Sequence, residues 1–263
     1  MERTKWDPTT QAAAVVRGGV VVERTGDTAA ARRVASITKL VTSWAVMVAV
    51  EEGSVALGDP AGPPGATLAH LLSHASGYEF EGDVVLGPPG RRRIYSNTGY
   101  EVAGEHLSAR TGLPATTYLT EAVLAPLDMG ASHVEGSVAA DLHASVDDLV
   151  RLLLEFRSPT LVHPSTARQW SSVAFPGLAG VVPGWGRQDP CDWGLGPELR
   201  GTKRPHWMGG RCSPATFGHF GGSGSYLWFD PVADVGCVVV ADREFGDWAL
   251  SAWPAQSDEV WSG

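Results

Sequence analysis

The chain has 263 residues, a net charge of −9 and only three cysteines. That length suits one or two domains able to bury roughly three-quarters of their unfolded surface, and the acidic balance without a basic stripe argues against a nucleic-acid or anionic-membrane surface. Cys191, Cys212 and Cys237 make neither a disulfide framework nor a zinc signature.

No apolar stretch of signal-peptide type follows the opening Met1–Pro8 segment, and no run approaches transmembrane length. The protein is therefore expected to be soluble and cytoplasmic. Residues 12 to 24 read as two short strands joined by a tight turn at Arg17-Gly18-Gly19. From Ile37 to about Glu52 the pattern is helical, with a stripe of Leu40, Val41, Trp44, Ala45, Val48 and Ala49, and Gly53 as its stop. Residues 58 to 66 are loop, followed by a short helix at Leu68 to Ser73 and a second loop at 87–90. Helices are predicted over 97–111, 115–127 and 145–156, and few regular elements over the Gly-, Pro- and Trp-rich 173–214. Tyr226 to Phe229 and Val235 to Val240 read as strands joined at Asp230-Pro231, and 246–262 as a closing helix. Cys237 falls in the second of these strands and is expected in the core; whether Cys191 and Cys212 are neighbours is open.

Strands at both ends and helices in the middle predict an α+β fold whose termini meet in one antiparallel sheet. The chain is read as one domain, with a sheet lobe of approximately 1–55 and 205–263 and a helical lobe of approximately 56–204.

Positive charge is carried by 17 Arg and three Lys, and one lysine stands in Ser36-Ile37-Thr38-Lys39 at the mouth of an apolar helix. Arg stays protonated in proteins, whereas a desolvated Lys can become a base. A serine three residues earlier shares its helix face, and a serine hydroxyl needs a nearby base to become a nucleophile. Ser-x-x-Lys also arises by chance, with Ser as a helix cap and Lys solvated. Tyr95-Ser96-Asn97 offers a phenol that relays protons when a neighbouring cation lowers its pKa, and an amide that orients a carbonyl. Read alone, it is a loop tyrosine followed by a helix cap. Gly218-His219-Phe220-Gly221-Gly222 leads into a strand, where free backbone N–H groups could form an oxyanion hole. Alone, it is a glycine-rich turn.

Together and in this order, the three segments resemble the serine β-lactamase and penicillin-binding-protein superfamily, closest to class C β-lactamases, D-alanyl-D-alanine carboxypeptidases and related esterases. That family's motifs are Ser-x-x-Lys, Tyr-x-Asn and Lys/His-x-Gly. Leu71-Leu72-Ser73-His74-Ala75-Ser76-Gly77 is similar to its Leu-Leu-Thr-His-Thr-Ser-Gly segment. The likeness covers roughly residues 12 to 245. It implies a β-lactamase-like fold and a serine acyl-enzyme, with Ser36 as nucleophile and Lys39 and Tyr95 sharing the acid/base work. It implies further that Asn97 contacts substrate, that His219 replaces the third-motif cation or donor, and that the Ser36 and Gly222 amides form the oxyanion hole beside Gly221 and Phe220.

The chain departs from that pattern at Phe220, where β-lactam-binding members usually carry Thr or Ser. An aromatic residue there is expected to narrow the site and to lack the hydroxyl that binds a carboxylate. The Ser36-to-Tyr95 interval is also short, which implies a trimmed helical lobe. Ester hydrolysis is the resulting expectation, with acyl transfer to an amine or alcohol, β-lactamase or peptidase action, and a catalytically dead binding protein as alternatives. The expected partner is a small acyl substrate, with no cofactor and no metal; oligomeric state is left open.

Trp185, Trp193, Trp207 and Trp228 either line the cleft or pack the core. Ser223 nearly fits a Gly-x-Ser-x-Gly elbow, but in a turn-to-strand setting. His74 is read as bracing a turn. His70 shares its helix face, but no third metal ligand is evident. Arg91 to Arg93 either hold a substrate anion or form a solvated loop.

Overall fold

A computed structural model of the chain describes residues 5–7 and 9–262. Strands β1 (Gln11–Arg17) and β2 (Val20–Thr25) form the opening hairpin. Gly18 and Gly19 between them have φ of 56° and 80°, the left-handed pair that a two-residue type I′ turn requires. The two-residue β3 (Arg32–Arg33) leads through a 3₁₀ turn at Ala35–Ile37 into α1 (Thr38–Glu51). Then come α2 (Leu68–Leu72), α3 (Asn97–Thr111) and α4 (Ala115–Leu119), the last running into a π-helical turn at Thr120–Leu124. A hairpin of β4 (His133–Val134) and β5 (Leu142–Ala144) precedes α5 (Val146–Arg157) and α6 (Pro164–Trp170). The short strands β6 (Gly180–Val182), β7 (Gly186–Gln188) and β8 (Glu198–Leu199) follow. The chain closes with β9 (Phe217–Phe220), β10 (Tyr226–Asp230), β11 (Val235–Ala241) and α7 (Asp247–Glu259).

The main sheet has the order β2-β1-β11-β10-β9-β8, and its pairs are antiparallel. β1 meets β11 along its whole length, from Gln11 opposite Ala241 to Arg17 opposite Val235. The two termini therefore share one sheet. β1 and β11 read as continuous apolar runs because both faces of the sheet are covered. Ala12, Ala14, Val16, Leu227, Phe229, Val238 and Val240 face a core shared with α1 and α5. Ala13, Val15, Tyr226, Trp228, Cys237 and Val239 face a second core with Trp6, Trp207 and the Ala249 and Trp253 side of α7. Cys237 is buried there as expected.

Helix α1 differs from the striped helix expected. Residues from Thr38 to Met47 are buried without a break, so it runs through the interior, wrapped on every side. A residue such as Lys39 on its first turn has no solvated face. α3 starts where its sequence says: Ser96 Oγ accepts from Gly99 N at 3.0 Å as the cap, and Gly112 (φ 74°) ends it. α6 and the β3-β5-β4 sheet were not foreseen, since two- and three-residue strands carry too little pattern to read. Among the described residues no helix is long and apolar enough to cross a membrane.

Candidate active site

Ser36 sits on a sharp turn. Ala35 before it has φ of 48°, a left-handed conformation that costs a side-chain-bearing residue roughly 1–3 kcal/mol. Surrounding bonds fix it. Val34 N donates to Leu142 O at 2.9 Å, Thr38 Oγ1 donates to Ala35 O at 2.5 Å, and Thr38 Oγ1 accepts from Leu142 N at 2.9 Å. The half-buried Ser36 is thereby held at the start of α1, with Lys39 one turn on.

Lys39 Nζ is buried and has three neighbours: Ser36 Oγ at 3.1 Å, Asn97 Oδ1 at 2.7 Å and Ala139 O at 2.9 Å. Two of these are carbonyl oxygens, which only accept. A neutral amine has two N–H donors and one lone pair. As the ammonium, Nζ donates to all three oxygens; in the neutral form its two donors go to Asn97 and Ala139 and the lone pair faces the Ser36 hydroxyl. Burial drives the Lys39 pKa from its ordinary value to about 7, with Glu101 and then Glu81 opposing that fall. The drop corresponds to about 5 kcal/mol against the ammonium form.

Burial pushes the Tyr95 phenol well above its ordinary value, against the lowering influence of the Ser36 hydroxyl. This departs from the expectation of a phenol acidified by a cation: Lys39 Nζ lies over the ring face, 4.9 Å from its centroid, and burial dominates. Tyr95 is thus a neutral phenol. Its ring sits among His74 at 4.5 Å, Phe80 at 5.9 Å, His219 at 5.9 Å and Trp193 at 6.0 Å. Asn97, the first residue of α3, links the site to a surface loop, its Nδ2 donating to Glu81 Oε1 at 2.9 Å.

β8 pairs only with Phe217 and Gly218 of β9, leaving the His219–Phe220 end of that edge open toward the cleft. His219 Nδ1 donates to Phe220 O at 2.7 Å. Burial, reinforced by Lys39, drives the ring down to about 3, so the imidazole is neutral and its Nε2 carries a lone pair. That atom is buried without a hydrogen-bond partner among the described residues. His219 therefore supplies no cation, contrary to one of the roles expected for it. At Gly221 a Cβ would lie 2.2 Å from Val34 O; glycine lets β9 close on the strand that delivers Ser36. Gly221 N is committed to Ser225 O at 2.8 Å, whereas Gly222 is exposed with open space where a side chain would be.

Phe220 corrects the sequence reading. Alternation along β9 turns it away from His219, into the outer core against Trp253 at 5.3 Å, Phe245 at 5.5 Å and Trp207 at 5.6 Å. It does not narrow the cleft. Trp185, Trp207 and Trp228 belong to the same core; of the four tryptophans considered, Trp193 alone stands at the site, meeting His74 at 4.9 Å and His219 at 5.8 Å edge to face. Ser223 is buried and its hydroxyl donates to Ser225 Oγ at 3.2 Å; among the described residues its hydrogen bonds bring no base beside it to make it a nucleophile.

Arg93 is neither an anion clamp nor a solvated loop residue. It is buried and donates to the carbonyls of Ser73 (2.8 Å), Cys191 (3.1 Å), Phe175 (3.1 Å) and Ala174, tying the Tyr95 loop to the segments around it. His74 braces the same loop, its Nδ1 accepting from Ser96 N at 3.1 Å. His70 instead pairs with Thr67 and stacks on Phe175. Cys191 and Cys212 are free, buried thiols.

Three contributors escaped the sequence. Ala139 acts through its carbonyl, for which no side-chain signal exists. Glu81 lies in a loop with no pattern. Behind Trp193, Lys203 Nζ pairs with Glu198 at 3.1 Å, and Glu198 also meets His206 at 2.9 Å and Trp207 Nε1 at 2.8 Å. Burial alone would raise the Glu198 carboxyl; Lys203 and His206 outweigh it and hold the group ionised. The scarcity of lysine could have signalled Lys203 as it did Lys39. In front, a cavity of about 480 Å³ borders Tyr95, lined by Phe80, Leu86, Ile94, Val181 and Pro183 with Arg92 and Arg187.

Comparison with known proteins agrees with the fold. The Beta-lactamase family model matches residues 1–258. A crystal structure described as a beta-lactamase from Mycobacterium bovis is 45% identical, with a TM-score of 0.95 over 98% of this chain and 96% of that one. EstCE1, described as a hydrolase with promiscuous acyltransferase activity, is 16% identical with a TM-score of 0.76 over 97% of this chain and 93% of its own, a likeness of fold alone. The D-alanyl-D-alanine-carboxypeptidase/endopeptidase AmpH of Escherichia coli is 28% identical over 134 residues, 37% of this chain and 35% of that protein. The match thus spans about a third of that curated relative. The chain belongs to the beta-lactamase family of serine hydrolases.

Proposed function

We propose that this family member hydrolyses an ester through an acyl-enzyme at Ser36. The observation that carries the reading is the placement of the buried Lys39 Nζ, 3.1 Å from Ser36 Oγ with carbonyl acceptors at 2.7 and 2.9 Å: as the neutral amine it donates to those two carbonyls and turns its lone pair to the serine. In this reading Lys39 takes the Ser36 proton as Oγ attacks the acyl carbon. The developing oxyanion is met by the Ser36 and Gly222 amides. The neutral Tyr95 phenol protonates the departing alkoxide and recovers its proton through Lys39. Water then repeats the sequence in reverse, releasing the acid.

The ester assignment is supported by what surrounds these groups. A β-lactam or peptide terminus brings a carboxylate, and the neutral His219 offers it no positive charge. Asn97 Nδ2, which would orient an amide carbonyl, is occupied by Glu81. The apolar lining beside Tyr95 suits an alkyl or aryl group. A second reading, β-lactam hydrolysis, is favoured by the description of the 45%-identical structure. Turnover of p-nitrophenyl esters of graded chain length against nitrocefin decides between them. Ester kcat/KM at least about 100-fold above that for nitrocefin is expected, and the reverse order would overturn the ester assignment. Adding an amine or alcohol acceptor and measuring the acylated product separates hydrolysis from acyl transfer.

A further inference from the structure

His133 and His143 are direct cross-strand partners on β4 and β5. Their imidazoles are stacked, with ring centres 5.0 Å apart and planes within 5° of parallel. Glu135, two residues beyond His133, returns its carboxylate to the same side, 3.0 Å from His133 Nε2. One ligand atom from each of the three lies within 4.8 Å of the others. The side chains of His133 and Glu135 are 54% and 62% exposed, so an ion could reach them from solvent. His143 Nδ1 is buried and has no hydrogen-bond partner among the described residues.

We propose that His133, Glu135 and His143 form a surface site for one divalent transition-metal ion of the zinc, nickel or copper type. Two imidazoles and one carboxylate are the donors such ions prefer, whereas magnesium and calcium select oxygen. Three protein ligands on an exposed hairpin leave the remaining positions to water. The sequence does not announce this set, because the histidines are ten residues apart and only strand pairing joins them.

The position of the site gives it a consequence. His143 is also the register partner of Arg33 on β3, one residue before the Val34–Leu142 bond that fixes the approach to Ser36. The loop between β4 and β5 carries Ala139, whose carbonyl holds Lys39. An ion bridging the two strands would clamp the stem of the hairpin whose tip positions the lysine. Its role is bracing, since the cluster lies outside the Ser36–Lys39–Tyr95 group.

The test is calorimetric titration of tag-free, EDTA-treated protein with zinc chloride, paired with thermal denaturation with and without zinc. One ion per chain and a rise in Tm of a few degrees are expected. His143→Ala and Glu135→Gln should each weaken binding at least about tenfold and lose the Tm rise. Glu135 is exposed, so its variant keeps the comparison valid if His143→Ala folds poorly. Absence of binding to the wild type, or equal affinity in wild type and Glu135→Gln, overturns the proposal.

Discussion

Asn97 joins Lys39 to Glu81: its side-chain oxygen holds the lysine at 2.7 Å while its amide donates to the carboxylate at 2.9 Å. The exposed carboxylate is thus coupled to the buried amine through one side chain. Glu81 favours the ammonium form, against the burial that lowers the Lys39 pKa to about 7. Only the neutral amine can act as base, so kcat/KM should rise through pH 7 as Lys39 deprotonates. Glu81→Gln removes the charge that favours protonation, and the acidic limb should move to lower pH by about 0.3–0.5 in dilute buffer, less in 0.5 M salt. pH profiles of ester cleavage check this; coincident limbs at low salt would show that Glu81 does not act on Lys39.

Phe220 faces the outer core and not the cleft. Phe220→Thr restores the hydroxyl usual in β-lactam-binding relatives, but on the wrong side of the strand. The variant should lose about 3 kcal/mol of stability through the cavity it leaves among Trp207, Phe245 and Trp253, with no more than a few-fold gain in nitrocefin turnover. Urea denaturation and a nitrocefin assay measure both. A large gain in turnover with unchanged stability would mean that the side chain reaches the substrate.

Gly221 approaches Val34 O so closely that a methyl group would overlap it. Gly221→Ala must push β9 away from the strand preceding Ser36. About 1–3 kcal/mol of destabilisation is expected, with a fall in kcat of about 100-fold because the oxyanion donor and the nucleophile no longer sit in register. Gly222→Ala, where space is open, should fold with wild-type stability. Equal kinetics for Gly221→Ala and the wild type would remove the positioning role.

Ser36, Lys39, Tyr95 and Asn97 were legible because each is a distinctive side chain at short spacing, and the structure gathers all four. The end-to-end sheet was legible because its strands at 12–24 and 226–240 are long and apolar. The face taken by Phe220 is not legible, because a motif names positions without naming faces and strand alternation decides the face. The charge of His219 is not legible, because it depends on burial, a tertiary property. Arg93 was placed between solvent and substrate because the run Arg91-Arg92-Arg93 gives no sign that one member turns inward. Ala139, acting through a carbonyl, leaves no trace in the sequence.

The proposed reaction rests on a covalent intermediate at Ser36 formed with Lys39 as base. Intact-mass analysis after exposure to a fluorophosphonate or an activated ester reads it directly. The wild type should gain one adduct. Ser36→Ala should gain none, and Lys39→Ala should gain the adduct at least about 100-fold more slowly while keeping its thermal transition. An equal adduct on wild type and Ser36→Ala would contradict acylation at Ser36.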